Sequence, residues 1–440
     1  MRHAQRGQAL VLAVGLLLIG AAAVFVLANA GRATATKHRL VNAADAAAYS
    51  AAAWRARVLN FDAYANRAIV ANEVAIAQAV TLVSWSKYFE QLADNAATVS
   101  RFFPPVAAAF EAVHEVATWS RQAAEYAAEL EVATRGAAGV GYKDLLQTGQ
   151  ELMHLTADAF ALSMLTAEVA RANDRAFFAF VLPGDGFGRF TRRYASLQDR
   201  QRLREVVEAS LDPFTGGPRS TDLPAMIGGC GPSLDRDRMF DWVHKRGATA
   251  LGDDLDRWEA HDTASLHAWR RGGFLGLGGC RERELLALGW GAAEADSTPE
   301  GVIATDAHDT ARNESARSRA ESDMRAFETY GGLARVRELD FDADQDDRFP
   351  VTRLAVLART DADAAAAPGA PVGPQGAGRL ALQPAYAGGR LWALAAAEVR
   401  FRRPASAGGV EYASLYSPYW QARLVEPSAQ HRTLADGYAR

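Results

Sequence analysis

Cysteine is scarce in this chain: two residues among 440, Cys230 and Cys280. Neither belongs to a CxxC pair and no paired histidine accompanies either, which argues against a cysteine-ligated metal site. A basic excess is also missing. The formal net charge is −4, whereas binding nucleic acid calls for a basic face, so nucleic acid is not an expected partner. No GxSxG, P-loop or histidine-rich signature occurs, and scattered Ser, His and Asp do not make a triad without geometry. The chain is therefore read as a non-enzyme. What it does have is core-forming material, 49% hydrophobic residues, over a length that allows two domains or one domain with a helical stalk.

One long apolar run stands out. Residues 9–30 (ALVLAVGLLLIGAAAVFVLANA) reach roughly 30 Å as a helix, the thickness of a bilayer's hydrocarbon core. The competing reading is a cleaved signal, with Ala28-Asn29-Ala30 as a small-x-small cutting site. The run exceeds the roughly 7–15 apolar residues of a signal, however, and helical patterning continues past the supposed cut. A retained span is expected. Arg2 and Arg6 on one side are matched by Arg32, Lys37 and Arg39 on the other, so charge alone leaves the orientation open; a seven-residue tail left inside while the bulk is exported is the simpler topology.

Arg6-Gly7-Gln8-Ala9, the apolar helix, Gly31-Arg32 and the run Arg39-Leu40-Val41-Asn42-Ala43-Ala44-Asp45-Ala46-Ala47-Ala48 resemble the N-terminal segment of TadG-like proteins of the tight-adherence (Flp) pilus-assembly system. The resemblance covers about the first 50 residues. Two departures matter: the acidic residue often found at the end of the span is replaced, with Asn29 nearby, and no DxSxS metal-adhesion signature follows, so a von Willebrand-type domain is not implied. A processed pilin would be cut after a Gly such as Gly7 and carry Glu at the fifth mature position, where this chain has Leu12. An unprocessed, pilin-like membrane protein is the expectation. The resemblance implies a non-enzymatic, single-pass inner-membrane component, cytoplasmic at its N-terminus and periplasmic in bulk. It would assemble or anchor a tight-adherence pilus or related secretion machine through pilin-like or pilus-assembly membrane partners. Gly7, Asn29, Gly31, Asn42 and Asp45 would mark the membrane and assembly helix, and the Ala-rich stretch 43–53 would pack on neighbouring pilin-like helices. Two alternatives come from other classes, a membrane-anchored periplasmic ligand-binding or sensor protein and an exported hydrolase.

The expected fold class is α+β: a single N-terminal transmembrane helix, a bundle or stalk of long helices, then a mixed domain with an antiparallel sheet. The expected division is a tail over residues 1–8, the span 9–30, a helical bundle 31–182, a linker with a short helix 183–233, and an exported domain 234–440 with flexible loops about 296–312 and 362–378. Apolar spacing of three to four residues carries the first helix into the mid-90s. Pro104-Pro105 breaks it, and helices over about 106–134 and 143–180 follow. A short helix falls at about 197–210 and another at 315–337. Strands are expected at about 257–269, 285–294, 352–359, 391–402 and 412–425, several with alternating faces.

Candidate chemistry is sparse. His114-Glu115 begins a metalloprotease-like pattern, but Thr118 stands where the second histidine would be. Gly184, Gly186 and Gly188 follow a helix rather than a strand, which does not suit a phosphate cradle. His261 and His267, on one strand, would be about 20 Å apart and could not share a metal, so these and His244 read as ordinary sheet histidines. Asp340, Asp342, Asp344 and Asp346 alternate as a calcium site's carboxylates would, without the EF-hand glycine or glutamate; the plainer reading is an acidic turn, and no other cofactor is expected. The glycine-flanked Cys230 and Cys280 suit a disulfide in an oxidising compartment, and closing a loop of that length is worth about 4 kcal/mol. The C-terminal LYSPYWQARLVEP reads as an edge strand packed on the core in preference to a docking surface.

Overall fold

The computed structural model describes residues 8–100, 104–137, 141–194, 196–227, 236–271, 279–304, 307–340, 349–361, 390–404, 408–409 and 411–439. Helix α1 (Gln8–Ser100) is unbroken for 93 residues; alanine dominates it and no proline interrupts it. Helix α2 (Pro104–Glu131) begins on the first proline, where a missing amide donor costs nothing. There follow α3 (Tyr142–Leu155), α4 (Ala159–Asn173), β1 (Phe178–Val181), β2 (Thr191–Arg193), α5 (Leu197–Ala209), the one-turn α6 (Pro213–Gly216), β3 (Thr221–Ile227), the one-turn α7 (Arg236–Met239), β4 (Phe240–Leu251), β5 (Trp258–Arg271), β6 (Cys280–Ala295), α8 (Glu314–Ser322), β7 (Arg325–Phe327), β8 (Arg337–Leu339), β9 (Val351–Asp361), β10 (Arg390–Phe401), β11 (Trp420–Val425) and α9 (Ala429–Ala439). The α+β class with one long N-terminal helix and antiparallel sheets agrees with the sequence.

Two compact units divide the chain, and each draws on separated stretches: residues 1–63, 150–192 and 339–440 for the first, residues 64–149 and 193–338 for the second. In the first, an antiparallel sheet runs β1-β9-β10-β11. Both of its faces are apolar. Ala393, Ala395, Ala397 and Val399 of β10 join Leu354 and Val356 of β9 under α1 and α4, while Ala355, Leu357 and Ala396 face Leu434 and Ala435 of α9. Alternation thus serves two buried layers. Glu398, one residue off the apolar register, lies directly opposite Arg353 and Arg423 on the two flanking strands and is ion-paired to both. The C-terminal aromatics pack as an edge strand: Trp420 is buried and sits edge-on to Phe401 and Phe190.

In the second unit the sheet order is β3-β4-β5-β6-β7, with β7 parallel to β6 and the other pairings antiparallel. The distal part of α1 crosses β6 at two glycines. A Cβ on Gly291 would fall 2.2 Å from the Ser84 carbonyl oxygen, and one on Gly289 would fall 3.0 Å from the Tyr88 ring, so only glycine admits the helix at this distance.

Two helical expectations change. The helix expected over 143–180 is broken because Asp158 accepts from the amide of Ala161 and starts a new helix, and residues 178–181 pair with β9 instead. The helix expected over 315–337 stops at Ser322; further on, Gly332 is at φ +76°, a left-handed conformation that does not continue a helix. Within the expected linker 183–233, residues 221–227 form β3. Strand β4 was not anticipated, because FDWVHKRGATAL carries charge on both faces and the partners that satisfy it come from distant segments.

Candidate functional site

The segment that resembles a pilus-assembly protein is the N-terminal half of α1. Its apolar part is fully outside the core: Leu10, Leu17 and Leu27 are 71%, 72% and 74% exposed. From Leu40 onward the helix changes character. Leu40, Ala43, Ala44, Ala47, Ala48, Ala51 and Ala52 form a buried stripe at helical spacing in the core of the first unit, where their small side chains let α1 approach the sheet closely. The alanine face expected to pack on other helices is therefore occupied within the unit. Asn42 is exposed and Asp45 half-buried, and burial pushes the Asp45 carboxyl up. Gly31 is exposed, Asn29 lies within α1, and Gly7 lies outside the described residues.

Polar contacts fix this stretch of helix in place. Lys37 donates to the Trp392 carbonyl of β10. The buried Arg55 pairs with Asp185 at 2.5 Å, donates to the Ala157 carbonyl at 3.1 Å, and lies 4.3 Å from the centre of the Phe187 ring. Asp185 sits between Gly184 and Gly186, both at positive φ, so the glycine loop serves to present a carboxylate to α1. His154 closes the arrangement, 2.6 Å from Asp62 and stacked on Phe187.

The second unit holds two polar clusters on opposite faces of its sheet. Toward α1, Asp262 is fully buried and receives Arg219, Lys245 and the Ser84 hydroxyl. Burial alone would raise this carboxyl; the Lys245 and Arg219 charges overcome that and hold it low. Deeper in this unit Glu73 accepts from the Tyr330 hydroxyl at 2.8 Å and the Trp258 indole at 3.3 Å, and burial keeps its carboxyl raised.

On the other face the sheet register makes a row that the sequence conceals. Asp222 of β3 is directly opposite His244 of β4, and the His244 and His267 rings are 4.8 Å apart. His244 Nδ1 bonds Asp222 and its Nε2 is 2.8 Å from Glu282 Oε1 on β6. His267 Nε2 is 3.0 Å from Asn313 Oδ1. One nitrogen or carboxylate oxygen from each of His244, His267 and Glu282 lies within 4.8 Å of the others. Spacing along one strand relates His267 only to His261, whereas its partners here lie across strands; Asp222, Glu282 and Asn313 carry no local signal at all. Beside the row, an open cleft of about 370 Å³ is lined by Ser220, Thr221, Asp222, Arg246 and His308.

Of the other sequence candidates, Cys280 is disulfide-bonded, and Cys230 lies outside the described residues. Asp340 is ion-paired to Arg192 at 2.8 Å, while Asp342, Asp344 and Asp346 lie outside the described residues.

No curated protein and no solved structure matches this chain. Residues 7–54, the stretch in which α1 passes from its exposed apolar run into the core of the first unit, match the Tad family model, TadE/G-like Flp pilus assembly.

Proposed function

We propose that this chain is a non-enzymatic, single-pass component of a tight-adherence pilus-assembly or related secretion machine. It is held in the inner membrane by residues 9–30, with the N-terminus cytoplasmic and both compact units periplasmic. The observation that carries this reading is the coincidence of the family match, residues 7–54, with the passage of one unbroken helix from exposed apolar surface to a buried alanine stripe. A helix of that kind couples a bilayer span rigidly to a folded body, because its emerging turns are fixed by Lys37, Arg55 and the core rather than by a flexible linker. Assembly partners would then meet the span itself or the exposed faces of the units.

The test is recovery of partners from solubilised membranes of cells that make the pilus, with tagged full-length chain beside a form lacking residues 1–36, each read by mass spectrometry. Anchor-dependent recovery of pilin-like or pilus-assembly subunits supports the role. A mature chain beginning at residue 31, or recovery of no assembly protein by either form, overturns it. Protease protection in spheroplasts reads the orientation: the bulk of the chain is cleaved from outside.

A further inference from the structure

We propose that His244, His267 and Glu282 form a zinc-binding site on the face of the five-stranded sheet away from α1. Three adjacent strands supply one donor each, and each donor is already oriented by a separate group. Asp222 holds His244 through Nδ1, which aims Nε2 at Glu282; a carboxylate behind a histidine is the arrangement that fixes the tautomer and raises the basicity of a metal-ligating imidazole. Asn313 is buried, and its amide nitrogen is spent on the His244 carbonyl and the Thr263 hydroxyl. Its oxygen therefore faces His267 and accepts from Nε2–H, leaving Nδ1 as the nitrogen with the free lone pair. Arg312 takes the outer oxygen of Glu282 and leaves the inner one toward the histidines.

The donor set selects the ion. Two imidazoles and one carboxylate suit zinc or a neighbouring transition metal, whereas calcium and magnesium want oxygen ligands throughout. Tetrahedral zinc needs donors about 3.4 Å apart, so a separation at the 4.8 Å limit closes by roughly 1.4 Å and the His244–Glu282 pair, now 2.8 Å apart, opens by roughly 0.6 Å, movements within the reach of side-chain rotation. Glu284, next along the same face, is committed elsewhere: it accepts from the Ser265 hydroxyl and from the Ser315 and Ala316 amides at the start of α8. Among the described residues no fourth donor joins the three, and solvent would complete the shell. The inference is independent of the pilus reading.

The experiment uses full-length protein in detergent, carrying a tag without histidine, stripped with chelator and titrated with Zn²⁺ against a chromophoric competitor. One zinc per chain is expected, with affinity at least tenfold weaker in His267→Gln and about 10–100-fold weaker in Asp222→Asn, which removes no zinc donor but weakens the carboxylate that orients His244 and pairs with Arg246. Zinc-edge absorption of the wild-type protein needs no variant to fold, and two imidazoles at about 2.0 Å are expected. Uptake below one ion per chain, affinity unchanged in both variants, or a zinc shell without two imidazoles overturns the site. In that case His244 only bridges Asp222 and Glu282 by hydrogen bonds.

Discussion

Arg219 and Asp262 meet in a two-pronged pair inside the second unit, Nε to Oδ1 at 2.9 Å and Nη2 to Oδ2 at 3.0 Å, with side chains 5% and 0% exposed. Removing one partner strands the other without water. Arg219→Ala is expected to cost about 3–5 kcal/mol, measured by denaturant unfolding of the full-length chain. A loss under about 1 kcal/mol would mean that Lys245 alone compensates Asp262.

At the crossing of α1 over β6, Gly291→Ala would drive a methyl group against the Ser84 carbonyl. Backbone on both sides leaves little to yield, so a loss of about 1–3 kcal/mol or more is expected. Gly279→Ala, with open space around its Cβ position, is the control and should move the midpoint little.

The alanine stripe makes a parallel claim in the first unit. Ala47→Leu places three carbons in a filled core and is expected to cost about 1–3 kcal/mol, whereas Tyr49→Leu, on the exposed side of the same turn, should stay within about 0.5 kcal/mol. Equal effects would mean that the stripe is not the packed face.

His261 gives the stability a pH dependence of known sign. It is almost wholly buried, neither ring nitrogen has a hydrogen-bond partner, and burial pushes its pKa from 6.5 down to about 4 against the attraction of Asp262. Arg317, Arg219 and Lys245 also disfavour its proton. The unfolded chain therefore binds this proton first: the contribution is present in full above about pH 6.5 and is lost as pH falls to about 4, by roughly 3 kcal/mol in all. The difference in stability between wild type and His261→Leu should vary with pH across that window by this amount. A flat difference would show that His261 is protonated or solvated in the folded state.

For the cysteines, we propose a Cys230–Cys280 bridge. Peptide mapping without reductant should recover the two cysteine-containing peptides joined, and Cys280→Ser should lower stability by about 4 kcal/mol for a loop of that length. Free thiols in protein purified from solubilised membranes without reductant would refute the pairing.

What could be read in advance follows the range of the interactions. The span, the first helix into the mid-90s, the break at Pro104-Pro105 and the strands around Trp258, Trp290, Val356 and Val399 announce themselves in patterns that a few neighbouring residues decide. Glu398 was visible as the charged face of an alternating strand, but its two arginines were visible only by register. Asp158 illustrates the limit from the other side: inside a helical pattern, one capping carboxylate started a new helix and freed residues 178–181 for a sheet.

The sequence by itself determined that residues 9–30 are long and apolar enough to cross a bilayer and that the adjoining motif is TadE/G-like, because hydropathy and a contiguous motif are local properties. Only the tertiary structure decided that the alanine stripe is spent inside its own unit. Only it decided that two compact units each draw on separated stretches of chain, and that His244, His267 and Glu282 converge. Those outcomes depend on strand register and on contacts between residues tens to hundreds of positions apart, and no window along the chain contains them.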